Sequence, residues 1–210
     1  MRGEPTCPRC GGELRAPGLW SSDWQCSVHG PVLPLLPAAQ PGLDLLEHAA
    51  VRSAVPVWAP WPLPVGWLLT GIRCAGDERT GYRATAVGCS GPNPVGGGGE
   101  LVLVAEDPGV GLGARFAGLP GPDPGAGFDA GPPHAKLHAA GHPTAVWCLD
   151  GLADRAVFVG EARGRWLWLV LWPESAGVLL AEDLVLADLR ELGAEAELMP
   201  FGALSPRLVG

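Results

Sequence analysis

The sequence predicts an α+β fold in which an N-terminal zinc ribbon precedes a mainly antiparallel sheet domain with few short helices. Two observations lead to this prediction. Four residues with the spacing of metal ligands lie within the first 30 residues, and apolar runs of strand length recur through the rest, broken by 32 glycines and 23 prolines. We expect a zinc ribbon over residues 1–30, a proline-rich linker with a short helix over 31–53, and a Trp-rich α+β domain over 54–210.

The ribbon is predicted from a C-x-x-C pair and a later C-x-x-H pair. Two thiolate or imidazole ligands in each of two tight turns close a tetrahedral Zn²⁺ site. Gly11 and Gly12 follow the first pair, where the backbone must curl around the metal, and a hairpin is expected over 13–15 and 19–25. The competing interpretation, a disulfide knuckle, is disfavoured because nothing marks the chain as secreted. The sequence thus predicts one structural Zn²⁺ per chain, held by Cys7, Cys10, Cys26 and His29.

The segment 31–41 is rich in proline and is interpreted as a linker that leads out of the ribbon. Residues 42–53 have apolar positions at helical spacing and predict a short helix. His48 in this helix is an alternative fourth ligand to His29. If the linker separates two folding units, a chain that starts near Leu43 should fold on its own.

The main domain is predicted to begin with strands over 66–74 and 82–90, which form a hairpin, and to continue with strands over 100–106 and 112–117. A Gly/Pro/Asp-rich loop is expected over 118–133 and a short helix over 133–140. Strands should follow over 144–150, 155–163 and 166–172. Leucine spacing and acidic residues at its start predict a helix over 182–192, before a last strand over 195–200.

Tryptophans alternate with prolines in the arm 55–67, which contains Trp58, Trp61 and Trp67. Such an arm can form an aromatic groove for a ligand, or its indoles can fill the space between a rigid segment and the sheet. Proline fixes the backbone of the arm, and we favour burial of at least two of the three indoles. Trp166, Trp168 and Trp172 share one parity along their strand and should line one face.

Other residue patterns have ordinary structural explanations. The glycine runs 96–99 and 109–113 do not show the strand–glycine–helix order of a phosphate loop, because both are expected to lead into extended chain. His134, His138 and His142 would share one face of a helix and form a second metal site, but Gly141 and Pro143 favour solvated histidines. Carboxylates at strand ends are open to both active-site and turn roles: Asp77, Glu78, Glu106 and Asp107.

Composition disfavours several functional classes. The net charge is −8 and no basic run occurs, so binding of nucleic acid is disfavoured. Residues 55–72 carry no charge, but their four prolines argue against a membrane span. No apolar signal segment follows Met1, and Cys74, Cys89 and Cys148 remain after metal binding, an odd number that suits a reducing, cytoplasmic location.

Four segments together carry a resemblance that covers the whole chain: MRGEPTCPRCGGELRAPG, VPVWAPWPLPVGW, GELVLVAEDPGVGLGARFAG and FGALSPRL. The chain resembles a set of actinobacterial proteins, of roughly this length, that carry a domain of unknown function. The resemblance implies a cytoplasmic, actinobacterial protein with a zinc ribbon, and it implies no activity.

Three functional interpretations follow from the sequence. The first is an intracellular zinc-ribbon protein with a regulatory or adaptor-like role in binding a protein partner. The second is an enzyme or small-molecule-binding domain whose site lies between the arm 55–67 and the loop 118–133, so catalysis is left open and no catalytic residue is predicted. The third is a nucleic-acid-associated factor. A flat exposed apolar patch would favour the protein-binding role, and a deep pocket would favour the enzyme or small-molecule-binding domain. A basic surface would favour the nucleic-acid-associated factor.

Overall fold

The computed structural model describes residues 3–19, 21–150, 152–181 and 183–209. Within this part the chain forms a three-stranded sheet near the N-terminus and a nine-stranded sheet from the remainder. The predicted α+β class, with a mainly antiparallel sheet and few short helices, is confirmed. None of its helices is long and apolar enough to cross a membrane.

The small sheet consists of β1 (Leu14–Arg15), β2 (Gln25–Cys26) and β3 (Gly30–Pro31), paired antiparallel in that order. The hairpin predicted over 13–15 and 19–25 is therefore present in shorter form, and Trp20 within it lies outside the described residues. The register places Leu14 opposite Cys26, which brings the second ligand pair back beside the first.

The large sheet has the strand order β4-β12-β8-β9-β10-β11-β7-β6-β5. All neighbours in it pair antiparallel except β8 and β12, which run parallel. The two strands of the hairpin predicted over 66–74 and 82–90 are present. The strand predicted over 100–106 and the three predicted between 144 and 172 are present as well. The strand bounds are β4 Trp58–Pro60, β5 Leu68–Asp77, β6 Gly81–Pro92, β7 Gly98–Glu106, β8 Ala135–Ala139, β9 His142–Leu149, β10 Ala156–Ala162, β11 Arg165–Trp172 and β12 Val185–Asp188.

Short helices connect the strands. The predicted helix over 42–53 is found as α1 (Leu43–Arg52), and α2 (Leu112–Ala117) and α3 (Pro206–Val209) have only six and four residues. Two 3₁₀ helices cover Glu174–Ala181 and Gly193–Leu198. Most of the buried apolar residues lie in the strands of the large sheet.

The large sheet is covered on both faces, so its central strands are buried on both sides. Along β11, Leu167, Leu169 and Leu171 belong to one apolar cluster, whereas Trp168, Val170 and Trp172 belong to the other. Alternating residues of a strand point to opposite faces, so the two clusters lie on opposite sides of the sheet. The first includes α1 and the arm 55–67, and the second includes α2, α3 and the loop 118–133. The predicted common face of Trp166, Trp168 and Trp172 is confirmed.

The segment 31–41 packs along the outer edge of β5. Leu35 is fully buried and bridges both Thr6 of the ribbon and Ala75 of β5, and Ala39 bridges Ile72. These contacts cover the unpaired N–H and C=O groups of an edge strand, which otherwise invite pairing with other chains. The ribbon is thereby joined to the large sheet through Leu35, and the boundary of the predicted linker at 31–53 stays a prediction.

The prediction of a strand over 112–117 is wrong, because these residues form the helix α2. Gly111 has a φ of 86° and starts the helix, and the carboxylate of Glu106 accepts the N–H groups of Leu112 and Gly113 at 2.7 and 3.1 Å. This cap comes from the end of β7. A local pattern cannot show it, because it depends on how the chain turns back after the strand.

The helix predicted over 133–140 is also wrong, because β8 occupies this segment. Ala140 and Gly141 both have positive φ, 48° and 79°, and form the two-residue turn that joins β8 to β9. Positive φ at both central residues is typical of the tight hairpin turn. The three histidines consequently do not share a helix face.

The two C-terminal predictions are also wrong. In place of the helix over 182–192, β12 pairs with β4 and β8, and a 3₁₀ helix takes the place of the strand over 195–200. Asp188 fixes β12, because its buried carboxylate accepts the N–H of Val57 at 3.1 Å and pairs with Arg190 and Arg163. Val57 and Arg163 are remote from Asp188 along the chain, so tertiary pairing overrides the leucine spacing.

Candidate metal centre

The four residues of the predicted metal motif come together at one point of the ribbon. One ligand atom from each of Cys7, Cys10, Cys26 and His29 lies within 4.8 Å of every other. In the part of the chain that the structure describes, this is the one group of at least three such side chains with the geometry to hold a metal ion. Cys7 and Cys26 are buried, His29 is half-buried and Cys10 is exposed.

The separations between these atoms fit a tetrahedral ion. Cys10 Sγ lies 3.7 Å from Cys26 Sγ, and His29 Nδ1 lies 3.6 Å from both Cys7 Sγ and Cys26 Sγ. Metal bonds of about 2.3 Å to sulfur and about 2.0 Å to nitrogen place tetrahedral ligands about 3.8 Å apart for two sulfurs and about 3.6 Å for sulfur and nitrogen. Disulfide bonding is excluded at 3.7 Å, because that bond requires about 2.0 Å.

The backbone of the first knuckle is closed by two hydrogen bonds. The N–H of Gly11 donates to the carbonyl of Cys7 at 2.8 Å, and the N–H of Cys7 donates to the carbonyl of Gly12 at the same distance. Gly11 has a φ of 74°, which favours glycine at this turn. These two hydrogen bonds hold Cys7 and Cys10 in one tight turn.

The thiols differ in their electrostatic environment. Burial raises the pKa of Cys7 to about 11. Burial has the same tendency at Cys26, but the N–H groups of Val28 and His29 and the His29 ring outweigh it and lower the pKa of Cys26 to about 6. Of these two thiols, Cys26 is the one whose surroundings favour the thiolate that binds a cation.

The alternative histidines take other roles. His48 Nε2 lies 3.1 Å from the hydroxyl of Tyr82, so it is not the fourth ligand. His134 Nδ1 accepts the N–H of Cys148 at 3.1 Å, and His138 and His142 lie on β8 and β9. The second metal site considered for these three histidines is therefore absent from the described residues.

A cleft of about 910 Å³ lies where the ribbon meets one end of the large sheet. Arg9 of the first knuckle reaches across it and donates to the carbonyls of Gly109 and Val110 at 2.5 and 3.3 Å. Trp24, Pro31 and Leu33 form the apolar part of the ribbon wall. The volume falls within the usual range for ligand sites.

Charged residues from several elements converge in this cleft. Asp107 pairs with both Arg83 and Arg165, and Arg79 pairs with Asp23 at 3.3 Å and with Asp77 at 3.4 Å. The lining carries three aspartates and four arginines, the arginines being Arg9, Arg79, Arg83 and Arg165. Sequence reasoning missed this group. A signal was available in the arginines beside the hairpin turns 77–81 and 163–164.

The arm 55–67 is mostly internal. Trp58 and Trp67 are buried, as expected for at least two of the indoles, and Trp61 is partly exposed. The indole N–H of Trp67 donates to the carbonyl of Pro92 at 3.1 Å, and that of Trp61 donates to Glu195 at 2.9 Å. A role of this arm in binding a ligand stays a prediction.

The arm and the loop 118–133 do not meet. They belong to the clusters on opposite faces of the sheet. The loop is held by Asp123, which accepts the N–H of Gly109 and the indole N–H of Trp166, and by edge-to-face contacts of Phe128 with Trp147 and Trp166. The structure therefore does not form the pocket that was considered between these two segments.

The glycine run 109–113 follows a strand and opens a helix, contrary to the expected extended chain. It is nevertheless no phosphate loop, because the carboxylate of Glu106 already occupies the N–H groups at the start of α2. Gly113 is needed for packing, since a Cβ there would lie 2.2 Å from Trp168 Cδ1.

Glu106 is fully buried, and this burial predicts a pH-dependent stability. Burial, with a contribution from Asp123, raises its pKa from 4.5 to about 7, although the N–H groups of Leu112 and Gly113 and the Trp168 side chain favour the charged form. Because the folded state holds this proton more tightly than the unfolded state, stability from Glu106 is present below about pH 4.5 and is lost as the pH rises to about 7.

We expect the free energy of unfolding of the wild type, relative to that of Glu106→Gln, to fall by about 3 kcal/mol between pH 4.5 and 7, because one pKa unit corresponds to about 1.4 kcal/mol. Urea denaturation of both proteins across this range measures the difference. The metal ligands titrate alike in both proteins, so their contribution to the pH dependence cancels in the difference between the two unfolding free energies. A constant difference would show that the carboxyl group does not change its charge in this interval.

The remaining thiols are internal. Cys74 and Cys89 are buried, and burial raises the pKa of each to about 12. Cys148 is half-buried, and burial also raises its pKa. These environments stabilise the neutral thiol, so the three side chains act as small apolar residues in the sheet.

The chain belongs to a family of unknown function (DUF6758), whose family model matches residues 1–208. This match over nearly the whole chain confirms the resemblance to proteins with a domain of unknown function. A search of curated proteins and a search of solved structures returned no significant match.

Proposed function

We propose that the protein is an intracellular, zinc-dependent binding module that takes an acidic segment of a protein partner in the cleft between the ribbon and the sheet. Three thiolates and one imidazole in tetrahedral arrangement suit Zn²⁺, and four protein ligands leave no open position for water. The zinc is therefore structural, one per chain. Its role is to hold the ribbon, which forms one wall of the cleft.

The convergence of four arginines in the cleft carries this proposal. With the three aspartates they leave one net positive charge, in a chain whose net charge is −8. Guanidinium groups bind carboxylates through paired, charge-assisted hydrogen bonds. Arg83 and Arg165 share the single carboxylate of Asp107, so their remaining donors can bind a second carboxylate.

The apolar wall favours a peptide over a free anion. Trp24, Pro31 and Leu33 line the same cleft as the arginines. Apolar surface of this kind packs against the side chains that lie between the acidic residues of a peptide.

Binding of a fluorescein-labelled, glutamate-rich peptide tests the proposal by fluorescence anisotropy. We expect Arg79→Gln/Arg83→Gln to bind the peptide at least tenfold more weakly, because a hydrogen bond to a charged group contributes about 1.5–3 kcal/mol. This pair is chosen because Asp107 keeps Arg165 as a partner. Chelation of zinc should weaken binding as well, since the ribbon wall would be lost.

The matched control is Arg52→Gln/Arg207→Gln, which removes the same charge outside the cleft. These arginines lie over the rings of Tyr82 and Trp172. Equal loss of affinity in both double variants would indicate unspecific attraction and contradict the assignment. Tighter binding of a single-stranded oligonucleotide than of the peptide would instead favour the nucleic-acid interpretation.

A further inference from the structure

Arg73 is a cation enclosed in the protein next to the ribbon. It is 5% exposed, and its guanidinium donates to the carbonyls of Leu36 and Leu208 at 2.9 and 2.8 Å and to the hydroxyl of Thr6 at 3.1 Å. Among the described residues its hydrogen-bond partners are thus all uncharged. Thr6 directly precedes the metal ligand Cys7, so this buried charge lies beside the metal centre.

Arg115 approaches the metal centre from the sheet side. It lies on α2, and its guanidinium covers the knuckle so closely that a Cβ on Gly11 would be 2.6 Å from Arg115 Nη2 and 3.0 Å from its Cζ. Gly11 immediately follows the ligand Cys10. The absence of a side chain at residue 11 therefore makes room for this guanidinium.

The contact is reciprocal. While Arg115 lies over the ribbon's knuckle, Arg9 of that knuckle reaches back to the turn before α2 and donates to the carbonyls of Gly109 and Val110. Its aliphatic stem packs on Gly111, where a Cβ would lie 2.8 Å from Arg9 Cγ. Two arginines thus fix the knuckle and α2 against each other, which sets the position of the Arg115 guanidinium.

The positions of these arginines can be explained by the net charge of the metal centre. A divalent ion with three thiolates and one neutral imidazole carries one net negative charge. Buried charges need a counter-charge nearby, because desolvation otherwise makes them costly. The guanidinium of Arg115, which lies over the knuckle, supplies one positive charge beside the three thiolates.

We propose that Arg115 is a positioning residue of the metal centre, whose positive charge stabilises the thiolates of Cys7 and Cys10 and so retains the zinc. Arg73 is a second buried cation close to Arg115, since burial and the charge of Arg115 lower the pKa of Arg73 to about 10. The pKa of Arg115 is lowered by burial, whereas the charges of Cys10 and Cys7 act against this lowering. This inference rests on the proposed zinc site and is independent of the cleft's ligand.

Release of zinc to a chromogenic chelator tests the proposal on the intact, zinc-loaded protein. We expect Arg115→Gln to release zinc about 10- to 100-fold faster than the wild type, the usual range for loss of an outer-shell partner. Arg115→Lys keeps the charge and should stay within about threefold of the wild type. Arg207→Gln, which removes an arginine on α3, should leave the rate unchanged.

The lysine variant separates charge from shape, since a merely structural role would not be restored by it. Wild-type release rates in a folded Arg115→Gln, or equally fast release from Arg115→Lys and Arg115→Gln, would overturn the proposal. If Arg115→Gln does not fold, the release rate of Arg115→Lys tests the proposal. Tenfold faster zinc release from folded Arg115→Lys than from the wild type would then overturn the proposal. A wild type without zinc would refute the zinc site itself.

Discussion

Replacing Cys7 and Cys10 together with alanine should unfold the ribbon and lower the melting temperature of the large sheet. Structural zinc contributes about 10–16 kcal/mol of binding free energy in small zinc-finger peptides. The small sheet has strands of two residues each, so it has little stability without the ion. We expect amide hydrogen exchange to show residues of the ribbon fully unprotected in this variant.

The effect should reach the large sheet through Leu35, which is fully buried between Thr6 and Ala75. Loss of a buried leucine from a core costs about 2–5 kcal/mol, and 1 kcal/mol corresponds to about 2–4 °C in a domain of this size. We therefore expect the sheet to melt about 5–15 °C lower. Cys148→Ala, which changes a half-buried thiol outside the site, is the control.

An unchanged melting temperature together with an unfolded ribbon would show that the two parts fold independently. That result would favour the predicted linker over 31–53 as a true boundary. Unchanged protection of the ribbon itself would mean that no metal stabilises it.

Trp58→Ala should be the most destabilising single change in the arm 55–67. Trp58 is 1% exposed, lies in β4 and packs within the larger of the two apolar clusters, with the Arg163 guanidinium 5.9 Å from its ring centre. Truncation of a buried tryptophan costs about 3–5 kcal/mol. Urea denaturation of the zinc-loaded protein measures this loss directly.

Trp61→Ala is the matched comparison, because Trp61 is partly exposed and its indole N–H donates to the exposed side chain of Glu195. We expect a cost of about 1 kcal/mol, the typical net contribution of one hydrogen bond. Trp67→Ala should resemble Trp58→Ala, since Trp67 is also buried. If the alanine variants of Trp58 and Trp67 both unfold with nearly the free energy of the wild type, the two indoles do not stabilise the core. The arm would then be the first place to seek a ligand.

Features defined by neighbouring residues could be predicted from the sequence. The ligand spacing places Cys7, Cys10, Cys26 and His29 together because each pair lies in one tight turn. The strands β5 to β7 and β9 to β11 are mainly apolar segments between turn residues, so their positions follow from local composition.

Features that depend on remote partners could not be predicted. The helix α2 begins where Glu106 caps it, and β12 is held where Asp188 meets Val57 and Arg163. The cleft arises because the ribbon folds back onto the turns that carry Arg79, Arg83 and Arg165. Each of these residues looks like an ordinary surface charge in the sequence.

The metal content of the purified protein tests the central claim most directly. We predict one zinc per chain by elemental analysis, and X-ray absorption should show three sulfur neighbours at about 2.3 Å and one nitrogen at about 2.0 Å. Cys7→Ala/Cys10→Ala should contain no zinc. Full zinc content in that double variant, or a metal-replete wild type without zinc, would contradict the account.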